Sequence, residues 1–66
     1  MKFIRLTEVV AKTGLARSTV YKLISKGNFP ASVSLGGKSV AWVEAEVEKW
    51  MQGKIAERNK GVVLSE

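Results

Sequence analysis

Arg17, Ser18, Thr19, Tyr21, Lys22, Ser25 and Lys26 lie within one short stretch of the chain. On a helix at about 100° per residue, with Arg17 as origin, Ser25, Ser18 and Lys22 fall near ~80°, ~100° and ~140°. Val20, Leu23 and Ile24 centre near ~290° on the same wheel, so the hydroxyl and ammonium groups turn away from the apolar stripe. Arg17 and Tyr21 flank one side of this polar face, Thr19 and Lys26 the other. A guanidinium at Arg17 can donate two parallel hydrogen bonds to guanine O6 and N7, or it can hold a phosphate. Ser18 and Thr19 can bond bases or phosphates, or cap the start of the helix. Tyr21 suits a phosphate or a thymine methyl group, or packing near Phe29. Lys22 and Lys26 are flexible point charges and suit phosphates. One helix with this surface fits the major groove, about 12 Å wide.

Other chemistries lack their residues. The 66-residue chain has no histidine and no cysteine, and all six acidic side chains are glutamates. That removes Ser-His-Asp and Cys-His nucleophile systems, thiolate and imidazole zinc sites, and the EF-hand loop. The expectation is a non-enzyme with no cofactor and no metal. Eleven basic side chains give a net charge of +5 and a pI near 9.9, the footprint of a polyanion binder. The charge is unevenly spread: residues 1–42 hold seven basic groups against Glu8 alone, whereas Glu44, Glu46 and Glu48 face only Lys49 in residues 43–52. The acidic stretch is expected to face away from a polyanion. The longest apolar run is the four residues Val40 to Val43, far short of the about 20 needed for a membrane span or the at least about 7 at the centre of a signal peptide. No membrane role and a cytoplasmic location are expected.

The elements that must carry this face can be read in turn. Thr7 is expected to cap a short helix from Glu8 to about Lys12, with Leu6, Val9 and Val10 inward. Gly14 breaks it in Thr13-Gly14-Leu15. A second helix is expected from Ala16 to Lys26, ended by Gly27. Asn28-Phe29-Pro30 is a loop. Val33 and Leu35, then Val40 and Trp42, alternate with polar or small residues around Gly36-Gly37, which reads as a two-stranded ribbon packed on the helices. A third helix fits residues 43–52 through Val43, Val47, Trp50 and Met51, continuing to about Asn59. Residues 1–60 form one domain on this reading, and residues 61–66 a flexible tail. The fold class is α+β, mainly α: a small winged helix-turn-helix of three helices and a two-stranded hairpin wing.

Trp42 and Trp50 fall on apolar faces and read as core in preference to base-stacking groups. Gly36-Gly37-Lys38 lacks the spacing of a nucleotide-binding loop and opens no helix. It reads as a wing tip, where Gly37 permits close approach to a sugar-phosphate chain and Lys38 and Ser39 supply donors; a plain hairpin turn is the alternative.

Arg5-Leu6-Thr7-Glu8-Val9, Thr13-Gly14-Leu15-Ala16-Arg17-Ser18-Thr19-Val20-Tyr21, Gly27-Asn28-Phe29-Pro30, Val33-Ser34-Leu35-Gly36, and Trp42 with Glu46-Val47 and Trp50 occur in this order. Together they resemble the AlpA family of phage and prophage regulators, a winged-helix branch related to excisionases and MerR-type domains. The resemblance covers about residues 4–58. It implies a bacterial or phage double-stranded DNA-binding protein that controls integrase or excision genes. It also implies DNA contact by Ala16, Arg17, Ser18, Thr19, Tyr21, Lys22 and Lys26, and by the wing tip at Gly37, Lys38 and Ser39. Integrase or RNA polymerase is an expected protein partner, and the chain is expected to be monomeric in solution and cooperative on DNA repeats, because one small module offers only about 600–1,000 Å² of contact. Ser34 and Val43 stand where the family often has basic or polar residues, which leaves Lys38 more of the wing's phosphate contact. Two other readings remain open: an excision directionality factor that bends attachment-site DNA, and a protein-interaction module, such as an antirepressor, with little DNA contact.

Overall fold

The computed structural model describes residues 1–65, with side chains for residues 1–60. In chain order the elements are β1 (Phe3–Ile4), α1 (Leu6–Thr13), α2 (Arg17–Ser25), β2 (Val33–Gly36), β3 (Ser39–Val43) and α3 (Glu44–Ser65). The strands make one antiparallel sheet in the order β1-β3-β2. The two-stranded ribbon read from the sequence is therefore part of a three-stranded sheet. β1 is too short to show alternation, and it exists because Phe3 and Ile4 pair with Val43 and Trp42.

That pairing also moves the start of α1. Thr7 does not cap it; the helix opens at Leu6, with Arg5 extended at the cap position and its carbonyl accepting from the Glu8 and Val9 amides at 3.0 Å. The chain leaves β1 at Ile4 and must turn at once, so tertiary pairing fixes the helix start one residue before the local capping signal. At its other end Gly14, at φ +74°, donates its amide to Val10 O at 2.8 Å, the single-bond left-handed helix stop.

α2 is bounded by Ala16 and Lys26 as cap residues, one inside each expected end. Its C-terminus is a Schellman stop: Asn28 N–H donates to Leu23 O at 2.8 Å and Gly27 N–H to Ile24 O at 2.9 Å, with Gly27 at φ +75°. α3 starts after Val43, which ends β3 and is not helical. The i, i+4 spacing of Val43 and Val47 imitates a helix across a strand–helix junction. α3 runs straight through Gly53 and past Asn59 to Ser65; the tail expected at 61–66 lies outside the residues whose side chains are described.

Ile4, Val9, Val20, Phe29, Trp42 and Val47 form the core, with Leu6, Leu15, Leu23, Ile24, Val40 and Trp50 packed around it. Every element except β2 contributes to this cluster. Each fully buried large side chain is worth about 1.5–3 kcal/mol, and Trp42 is the largest of them. β2 is exposed along its whole length, and the hairpin packs on α1 and α3 chiefly through β3.

Candidate nucleic-acid interface

The turn between α1 and α2 is braced from within. Thr13 Oγ1 donates to Val9 O at 2.8 Å and accepts from Leu15 N–H at 3.2 Å. This one hydroxyl ties the last turn of α1 to the residue that leads into α2, and Leu15 packs against the core. The brace fixes the crossing of the two helices. Val20 is then fully buried, Leu23 and Ile24 are partly buried, and the opposite side of α2 faces solvent.

Arg17, Ser18, Tyr21, Lys22 and Lys26 are all exposed there, and Thr19 is half-buried. No side chain caps the α2 N-terminus, so neither Ser18 nor Thr19 is spent on capping. Both lie inside the helix, and the cap position belongs to Ala16. Ser25 is committed differently: its hydroxyl donates to Lys22 O at 2.7 Å, back into the helix. Arg17 borders a shallow cavity of about 210 Å³ with Leu6, Thr7 and Val10 of α1. The aromatic partner of Tyr21 is Trp42. Its ring lies 6.4 Å from that of Trp42 at 60°, while Phe29 meets Trp50 edge-on at 4.8 Å. Tyr21 thus joins the exposed face of α2 to the root of the hairpin.

The hairpin tip is a two-residue turn at Gly37-Lys38, one position later than Gly36-Gly37, because Gly36 still pairs with Ser39. Gly37 has φ +57° and Lys38 a negative φ, the signs of a type II′ turn with glycine first. Lys38 and Ser39 are exposed at this tip.

Two residues expected only as core do more than fill space. Trp42 Nε1 donates to Pro30 O at 3.0 Å, and Trp50 Nε1 donates to Asn28 O at 2.6 Å. The loop that joins α2 to the hairpin is therefore pinned at its middle, at Asn28 to α3 and at Pro30 to β3. An indole N–H near the interior needs an acceptor, and that need was the available signal; the partner carbonyls were not legible.

Charge is spread unevenly along the chain. No acidic side chain occurs between Glu8 and Glu44, and among the described residues no ion pair involves Arg17, Lys22, Lys26 or Lys38. Lys12 is different. Its ammonium lies 3.0 Å from Glu48 and 3.3 Å from Glu44, and the hydrogen bonds to Glu48 first and Glu44 second raise its pKa above the ordinary 10.5. Glutamates at the start of α3 thus take one cation out of the basic surface. Among the described residues no cluster of acidic side chains is arranged to hold a metal ion, and no helix is long and apolar enough to cross a membrane.

A family model described as Prophage CP4-57 regulatory protein (AlpA) matches residues 2–55. The chain belongs to the AlpA family. The match takes in every element from β1 to the middle of α3, including the braced turn and the hairpin. Among curated relatives, the ORF88 protein of enterobacteria phage P4 is 57% identical over 60 residues, 91% of this chain and 68% of that protein. The DNA-binding transcriptional activator AlpA of Escherichia coli (strain K12) is 39% identical over 57 residues, 77% of this chain and 81% of that protein. The AlpA resemblance read from the sequence motifs is thereby established, and so is the small, mainly helical α+β fold.

Proposed function

We propose that this chain is a regulator that binds duplex DNA sequence-specifically and controls transcription of phage or prophage genes. The observation that carries the reading is the two-sided α2. Its Val20 side is sealed in the core, while Arg17, Ser18 and Lys22 are exposed on a helix that carries no acidic residue. The name of the Escherichia coli relative, a DNA-binding transcriptional activator, supports the same reading. On this reading α2 enters the major groove with its first turn against base edges. Arg17 reads a guanine, Ser18 and Thr19 bond bases or phosphates, and Ala16 allows close approach at the helix start. Tyr21, Lys22 and Lys26 hold the backbone, and Gly37, Lys38 and Ser39 reach the adjacent backbone or minor groove. Integrase and excision genes are the targets that fit a prophage regulator, with polymerase recruitment or occlusion as the mechanism. No catalytic step is part of it.

The test is selection of bound sequences from random 30-base-pair duplexes, followed by titration of the selected site at increasing salt. A defined consensus is expected, with log affinity falling against log salt at a slope of about −0.9 per phosphate contacted. Salt-independent binding, or recovery of no consensus, would overturn the proposal.

A further inference from the structure

Val10 is an apolar residue outside the hydrophobic core. It is half-buried on α1, yet it is not part of the cluster that Leu6, Val9 and Leu15 join. With Leu6, one turn earlier, it lines the cavity of about 210 Å³ that is bordered by Thr7 of α1 and by Arg17 of α2. On α1 at about 100° per residue, Val10 and Thr7 lie ~60° apart, whereas Glu8 and Lys12 are both turned ~160° from Val10. The wall that α1 gives to the cavity is therefore largely apolar, and the one acid of α1 faces elsewhere. From α2 only Arg17 borders it, exposed and in no ion pair among the described residues.

We infer that Val10 and Leu6 receive the 5-methyl group of a thymine close to the guanine that Arg17 reads, so that Val10 sets specificity at that position. The inference rests on the DNA-binding reading above and extends it from α2 to α1. Base edges in the major groove offer donors, acceptors and one kind of apolar group, the thymine methyl. An apolar recess with a guanidinium at its rim matches that group and no other on those edges. Arg17 opens α2, in the turn that meets bases on this reading, so the recess it borders lies beside the same stretch of duplex. Packed helix axes stand about 8–10 Å apart, which puts a recess between them about 4–5 Å from the α2 axis. That offset is one to two base steps of about 3.4 Å. Size agrees: the recess is several times the about 30 Å³ that one water occupies in the liquid, which leaves room for a methyl and the ring edge that carries it. Taking one methyl out of water is worth about fourfold in affinity.

The test changes single atoms of the DNA. Competition titrations use the selected duplex with uracil in place of each thymine in turn, which removes one methyl and keeps every hydrogen-bonding group. A loss of about fourfold is expected at a thymine one to two steps from the guanine at which Arg17→Ala loses discrimination. At that same position 5-methylcytosine is expected to bind about fourfold better than cytosine, because the methyl and not the rest of the base is what the recess holds. Val10→Thr, close in shape but polar, is expected to bring both ratios to about one. Val10→Ala removes two methyl groups, places a strong helix former in α1 and covers the case that the first variant fails to fold. A merely structural role for Val10 weakens methylated and unmethylated duplexes alike and keeps both ratios. The inference is overturned by a site that tolerates uracil throughout, by a selected site with no thymine at that distance, by a methyl effect remote from that guanine, or by folded Val10 variants that retain the ratios. A defined site bound without any methyl effect overturns this inference alone. Failure to bind any duplex overturns the functional reading together with it.

Discussion

α2 and the opening turns of α3 each bury an apolar stripe, Val20, Leu23 and Ile24 in one and Val47, Trp50 and Met51 in the other, and each turns charge outward. The charges meet different fates. Those of α2 have no acid within reach, while Glu44 and Glu48 of α3 close on Lys12. Net charge alone does not distinguish these surfaces. Placement does: α2 carries Arg17, Lys22 and Lys26 with no acidic residue of its own, whereas Glu44 and Glu48 at the start of α3 are paired with Lys12. The two ion pairs tie Glu44 and Glu48 to Lys12 of α1.

The contrast is broken most strongly by reversing one charge on α2. Lys22→Glu is expected to weaken DNA binding on the order of 100-fold at low salt, since it removes one attraction and adds one repulsion. The sign-reversed partner, Glu46→Lys on α3, should leave affinity within about threefold. Parallel fluorescence titrations of the two variants check this, and equal effects would erase the distinction. Next comes Arg17→Ala. A loss of about 1–3 kcal/mol against the selected site is expected, with little loss against random duplex. Lys38→Ala should instead weaken both to a similar, smaller extent, as a phosphate contact does. Competition assays with specific and random DNA separate the two roles.

The smallest effect belongs to the α3 side. Lys12→Met should leave affinity within about twofold and lower the thermal midpoint only slightly, because the pair is largely solvent-exposed. The sign of its pH dependence follows from the raised pKa of Lys12. The pair's stabilisation is fully present below the ordinary pKa of 10.5 and is lost as pH rises through the higher folded value. Wild type and Lys12→Met melts are therefore expected to converge only on the alkaline side of pH 10.5. Convergence near neutrality would show that the ammonium contributes nothing.

Much of this arrangement is written in local sequence. Gly14 and Gly27 mark their helix ends because each takes a backbone angle that other residues resist, and the 3.6-residue stripe of α2 separates its two faces without reference to anything else. The features that escaped depend on partners distant in the chain. Phe3 and Ile4 are a strand only because Trp42 and Val43 lie beside them. Val43 continues a helical spacing yet ends a strand, since the same apolar side chain serves either period. Val33 and Leu35 alternate like core residues, but both are exposed on the edge strand β2. Lys12 counts as part of the basic surface until Glu44 and Glu48 are brought to it. In the interface, the exposure of Arg17, Ser18 and Lys22 could be computed from angles alone, while the contact of Tyr21 with Trp42 required the fold.

The paired indole bonds to Asn28 and Pro30 have a mechanical consequence. With the middle of the connecting loop tied to β3 and α3, the end of α2 and the base of the hairpin are coupled, and under the proposed function their separation would act as a gauge laid along the double helix. A duplex whose grooves do not match that span must itself bend or twist to fit, and the work of doing so varies with base step. Positions in the operator that no side chain touches would then still influence how tightly the site is held.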